Sequence, residues 1–194
     1  MSLKNPADRW GAVSQFLHWT IAVAILAMAV IGLSLDSLPK SPSYFWVFNL
    51  HKSLGLTVLA LAVIRLAWRL YAGAPTPIAS IPRWQLLLAR VTHWLLYGLI
   101  IAMPLSGWLF DSASGLRPLR WFDLFQVPKL IAPNTGVREI ARDAHGWIFW
   151  VLVLLILMHA GAALYHHYFV GDGTLRRMLP GRRSPPPSSN RNSR

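Results

Sequence analysis

The sequence predicts an all-α membrane protein, a polytopic four-helix bundle with both termini in the cytoplasm. Three observations carry that prediction. The chain of 194 residues holds four apolar runs long enough to cross a bilayer. It is 54% hydrophobic and only 13% charged, about half the charge of an ordinary soluble domain. Its basic residues gather at the ends of those runs rather than within them.

The first span covers about residues 11–35, after a short polar lead, and holds His18 about two turns inside its start. No small-residue cleavage site follows it, so it reads as a retained span. A Pro/Ser loop leads to the second span, about 46–70, with His51 near its start and Arg65 and Arg69 near its end. A Pro-rich connector follows. The third span, about 84–110, carries His93 in its first half and Pro104 and Gly107 towards its far end, where a kink is expected. The segment 111–142 is too polar to span. Its apolar stretch WFDLF is expected to form a short helix at the membrane interface. The fourth span, about 143–169, closes a membrane domain of residues 1–180. Residues 181–194 form a basic Pro/Ser tail expected to be disordered.

Four spans place both termini on one side. That side has twelve Lys and Arg against seven on the other, which assigns it to the cytoplasm. The net charge of +12 is therefore explained by topology and anionic lipid headgroups, with no nucleic-acid partner implied. Trp10, Trp46, Trp68, Trp84, Trp108 and Trp147 lie near span ends, as an interfacial belt requires.

The absence of cysteine excludes disulfides, Cys-ligated iron–sulfur clusters, thiolate-ligated haem and covalent c-type haem. Histidines remain. His145 and His159 are fourteen residues apart in the fourth span, close to four helical turns, so both face one side, separated by ~21 Å along the axis. Ionisable groups at such depth are costly and mark functional sites. His51 shares the periplasmic depth of His145. His18 and His93 both share the cytoplasmic depth of His159, and depth alone does not choose between them. An iron held by two imidazoles needs two facing helices at one level, so the pattern points to two haem b groups stacked across the membrane. Gly55, one turn after His51, leaves room for a flat macrocycle. Arg65, fourteen residues after His51, is a candidate partner for a haem propionate. No H-E-x-x-H motif or deep carboxylate favours zinc or copper.

Several segments carry a resemblance to a known family. They are SQFLHWT around His18, the His51–Gly55 pair, VIRLAWRL, THWLLYGLIIAMPLSGW, and HGWIFWVLVLLILMHAGAALYHHYF running into DGTLRRMLP. From about Arg9 to Pro180 the chain resembles the bacterial cytochrome b561 family of small, four-helix, di-haem membrane cytochromes. The resemblance implies that His18 pairs with His159 and His51 with His145. It implies a ubiquinone site on the cytoplasmic side, with His166 as the best contact and Arg83 as a weaker one. It also implies electron transfer from a periplasmic donor, superoxide foremost, to ubiquinone, so a superoxide:ubiquinone oxidoreductase in which no residue need act as a catalytic base towards superoxide. Lys52, Arg117, Arg120, Lys129, Arg138 and Arg142 are candidates for a basic funnel for that small anion. The alternative is a membrane-anchor cytochrome b subunit relaying electrons between quinone and a redox partner protein, a dehydrogenase or hydrogenase.

Overall fold

The computed structural model describes residues 2–39 and 41–181; the expected disorder of the tail beyond Gly181 lies outside them. Four helices long and apolar enough to span a bilayer are present among these residues. We label them α1 (Ala12–Leu35), α2 (Phe45–Ala72, after a short 3-10 turn at Pro42–Tyr44), α3 (Arg83–Ser114) and α4 (Thr135–Tyr165). Apolar side chains cover their outer faces: Val23, Leu26 and Val30 of α1, and Leu154 and Leu157 of α4, are all exposed. Such surfaces need lipid rather than water around them. Inside, Leu17, Ile21, Val58, Ala62, Leu96 and Leu152 form a thin apolar core.

The packing runs α1 on α2, α2 on α3, and most extensively α3 on α4. The backbone of α4 makes at most sparse close contact with α1 and α2. The rings of His145 and His159 reach across that gap to α2 and α1.

The two ends of the bundle are closed by polar ties. At the end that carries the termini, Asn5 accepts from the Gly11 amide and the Ser14 hydroxyl, and donates to the Gly73 carbonyl. The segment after α4 folds back instead of trailing away. Trp10 and Gln15 donate to the Arg177 carbonyl, Trp19 to that of Met178, and Arg9 to those of Leu179 and Gly181. Gln15 is buried and also donates to the Trp10 and Leu179 carbonyls. A buried amide needs such partners, and these sew α1 to the C-terminal segment.

The opposite end differs from the sequence reading in two respects. First, WFDLF forms a small hairpin, not an interfacial helix. Strands β1 (Arg120–Trp121) and β2 (Phe125–Gln126) pair antiparallel, with Arg120 opposite Gln126 and Trp121 opposite Phe125. Phe122 and Asp123 take positive φ, 45° and 60°, which an α-helix excludes and which costs a non-glycine residue roughly 1–2 kcal/mol. Anchors from α2 offset that cost. The Ser53 hydroxyl, 1% exposed, accepts from the Phe122 amide at 2.9 Å and donates to the Arg120 carbonyl. The Trp121 indole donates to Thr57 at 3.1 Å. Second, α4 begins at Thr135 rather than at Asp143, because Asn134 caps it by accepting from the Val137 amide. The polar stretch before the fourth span is thus two turns of the same helix. Buried Ser112 fastens the loop between by accepting from the Leu130 amide, and buried Asp111 ties α3 to Lys52 of α2.

Ser53→Ala should leave the Phe122 amide without an acceptor, a loss of about 1–3 kcal/mol. The expected outcome is a lower unfolding temperature in detergent micelles and protease nicking between Arg117 and Lys129. A variant as protease-resistant as the parent would show that the hairpin does not depend on Ser53.

Candidate functional site

The histidines meet where the helices leave room for them. His51 of α2 and His145 of α4 face each other with ring centroids 6.3 Å apart. His18 of α1 and His159 of α4 face each other at the same separation, 6.3 Å. An imidazole–metal bond of about 2.0 Å and a ring radius of about 1.15 Å put two axial imidazoles of one metal roughly 6.3 Å apart, centroid to centroid. Both pairs have that spacing. His93 of α3 lies closer to His159, at 5.2 Å, too near for an iron between them. Of the two histidines at the depth of His159, His18 has this spacing and His93 does not.

The surroundings suit ligand imidazoles. His145 Nδ1 lies 3.0 Å from the Met103 carbonyl and 3.0 Å from Ser106 Oγ. A carbonyl can only accept, so Nδ1 carries the hydrogen and Nε2 keeps its lone pair for a metal. Two glycines stand behind the rings of this level. A β-carbon at Gly107 of α3 would lie 3.0 Å from His145 Cε1, and one at Gly32 of α1 would lie 3.3 Å from His51 Cε1. Gly55 faces α1 instead, where a β-carbon would sit 3.6 Å from Met28 Cε. Among the described residues no group of three or more His, Cys, Asp or Glu could hold a bare metal ion. Paired imidazoles with a planar group between them are the chemistry that fits.

Sequence reasoning found Gly107 only as a kink and missed Gly32. The signal was available: Gly32 lies fourteen residues after His18, and Gly107 fourteen after His93. Each helix therefore presents two special residues at the same two levels. In α2 they are His51 and Arg65. The Arg65 guanidinium donates to the Ser14 carbonyl of α1 at 2.9 Å, one turn from His18, and lies 5.9 Å from the Tyr97 ring centre.

Past α4 the helix widens into one π-turn, His166–Val170, and Gly171 reverses the chain with φ 73°. This brings Asp172 back under His166, with Oδ2 2.6 Å from Nδ1. Burial raises the pKa of Asp172, but hydrogen bonding from Thr174 and His166 outweighs it and holds the carboxyl below the ordinary range. Arg83 stands exposed at the first turn of α3, and no hydrogen bond or ion pair joins it to His166 among the described residues.

At the hairpin end three of the six cations of the expected basic funnel are paired with carboxylates. Lys52 pairs with Asp111 at 2.6 Å, Arg120 with Asp123, and Arg142 with Asp143. Arg117 and Arg138 lie over the rings of Phe45 and Phe110. That leaves Lys129 of the six outside such pairs in the described contacts.

Comparison with known proteins agrees with this geometry. A family model described as prokaryotic cytochrome b561 matches residues 9–181. The chain is 36% identical to cytochrome b561 homolog 2 of Escherichia coli over 180 residues, 92% of this chain and 95% of that one. It is 31% identical to cytochrome b561 homolog 1 of the same organism, over 91% of this chain and 99% of that one. A protein of Yersinia pestis named probable superoxide oxidase CybB is 29% identical, over 86% of this chain and 93% of that one. The chain belongs to the prokaryotic cytochrome b561 family, and is a multi-pass, haem b-binding membrane protein of electron transfer.

Proposed function

We propose that this chain is a di-haem b oxidoreductase of the bacterial inner membrane, with both termini cytoplasmic. It carries single electrons from a periplasmic donor, superoxide, to ubiquinone. In this reading His51 and His145 ligate the haem nearer the periplasm, and His18 and His159 the haem nearer the cytoplasm. One observation carries the reading: two imidazole pairs with the same 6.3 Å separation, sharing one helix and spaced fourteen residues along it.

Bound haem supplies reversible one-electron chemistry at each level. The rest falls to the chain. Met103 holds His145 in the tautomer whose Nε2 is free. Gly32 and Gly107 admit the outer rings. Arg65 keeps guanidinium hydrogens beyond the one given to Ser14, and these suit a propionate. Two superoxide anions give up one electron each and leave as oxygen; one ubiquinone takes both electrons and two protons. Superoxide as donor is supported by the name of the Yersinia relative. Arg117, Lys129 and Arg138 are the cations of the proposed funnel left without a carboxylate partner among the described residues, and so free to attract it.

Purified in detergent, the protein should carry two haems per chain, reduced within the mixing time by superoxide and reoxidised by ubiquinone. Haems left oxidised by superoxide, yet reduced by a co-purifying dehydrogenase or hydrogenase, would favour a membrane-anchor subunit. His93→Ala should keep the ratio at two haems per chain; loss of one would overturn the pairing of His159 with His18. Gly107→Ala should lower the ratio towards one, since its methyl group meets the His145 ring at 3.0 Å. An unchanged ratio would show that the ring can move aside.

A further inference from the structure

The turn after α4 is built around one short contact. The Gly171 and Asp172 amides both donate to the His166 carbonyl, so the reversal is fixed by backbone. Both oxygens of Asp172 are engaged: Oδ1 accepts from the Thr174 amide at 2.8 Å, and Oδ2 meets His166 Nδ1 at 2.6 Å. The side chain of Asp172 is 6% exposed and that of His166 is 16% exposed. The segment behind them is held in turn. The Arg177 amide donates to the Gly173 carbonyl, and its guanidinium to Thr76 in the α2–α3 connector. The Tyr165 ring stands edge-on to His166 at 6.0 Å. A carboxylate so placed can only accept, so the hydrogen of a neutral His166 sits on Nδ1 and its Nε2 is the atom left to exchange protons.

We propose that Asp172 is a positioning residue for quinone reduction, holding His166 in the Nδ1–H tautomer so that Nε2 delivers the protons. This rests on the reading of His166 as a quinone contact. Ubiquinone accepts two electrons from the donor side and two protons to become ubiquinol. For each proton the Nε2–H bond of the imidazolium breaks and an O–H bond forms on the quinone. Nε2 is then reprotonated from cytoplasmic water. Asp172 remains an anion throughout and stabilises the imidazolium, as the buried acid of a Ser-His-Asp triad does.

Asp172→Asn tests this with little change of shape. Its haem-to-protein ratio and reduced spectrum should match the parent. Its kcat for ubiquinone reduction should fall about ten- to a hundredfold, with KM little moved. In 15N-histidine-labelled protein the His166 signals, assigned by their loss in His166→Gln, should shift from the Nδ1–H to the Nε2–H pattern. Asp172→Glu should restore both rate and pattern. A parent-like kcat in Asp172→Asn overturns the proposal. So does a slowed variant whose imidazole signals stay in the Nδ1–H pattern, or one that also loses haem, since either marks a structural tie only. A parent protein that never reduces ubiquinone overturns the quinone reading and this one with it. That failure is distinguishable because it appears before any substitution is made.

Discussion

Everything in this fold answers to one spacing. Two imidazoles on α4, fourteen residues apart, each meet a partner ring at 6.3 Å. Fourteen residues bring a helix back to nearly the same face after ~21 Å, most of the depth of a hydrocarbon core. One helix can therefore serve two redox centres only if the helices opposite it present partners at matching heights. It must also stand off from them by the thickness of a planar group. The packing order meets that second demand: α4 leans on α3, while its histidines reach towards α1 and α2.

The same interval recurs in the other three helices: His18 with Gly32, His51 with Arg65, His93 with Gly107. The pairing differs in kind because each helix does something different at each level. At the hairpin end a histidine of α2 and one of α4 face inward, and glycines of α1 and α3 withdraw to admit their rings. At the terminal end α1 and α4 supply the facing rings, α2 supplies a guanidinium, and α3 supplies a third imidazole, 5.2 Å from His159. With lipid outside, no hydrophobic force distinguishes one helix face from another. The residues that specify how these helices face are the small and polar ones at these two heights, and the polar ties that close the ends.

Much of this was legible in the sequence. Span lengths follow from bilayer thickness and composition, and the bounds of α1, α2 and α3 lie close to those expected. The histidine levels follow from helical period. Three things did not follow. The choice between His18 and His93 did not follow from helical period, since it depends on a distance between helices; only the family resemblance pointed to His18. The roles of Gly32 and Gly107 are defined by a neighbour's ring, and a glycine in an apolar run looks the same whether it makes room or merely breaks propensity. The WFDLF segment has the apolar content of an interfacial helix, yet two residues with positive φ turn it into a hairpin. Its stability comes from Ser53 and Thr57, more than sixty residues earlier in the chain.

The fold-back after α4 belongs with these. Read alone, GDGTLRRMLP is a basic stretch at the edge of a membrane, with the charge pattern of a cytoplasmic tail. Its docking is written in carbonyls rather than side chains. Those of Arg177, Met178 and Leu179 receive hydrogens from Trp10, Gln15 and Trp19 near the start of the chain. Because the acceptors are backbone, the identity of the tail residues scarcely shows the docking; Gln15, a polar residue buried at the mouth of the first span, is the sequence signal that does. This tie matters for the site because Asp172 lies between α4 and the docked segment. With both flanks held, its carboxylate stays against His166 at 2.6 Å instead of turning to water. The terminal end is thus closed by the same contacts that keep a histidine and an acid in register one turn beyond the membrane-spanning helix.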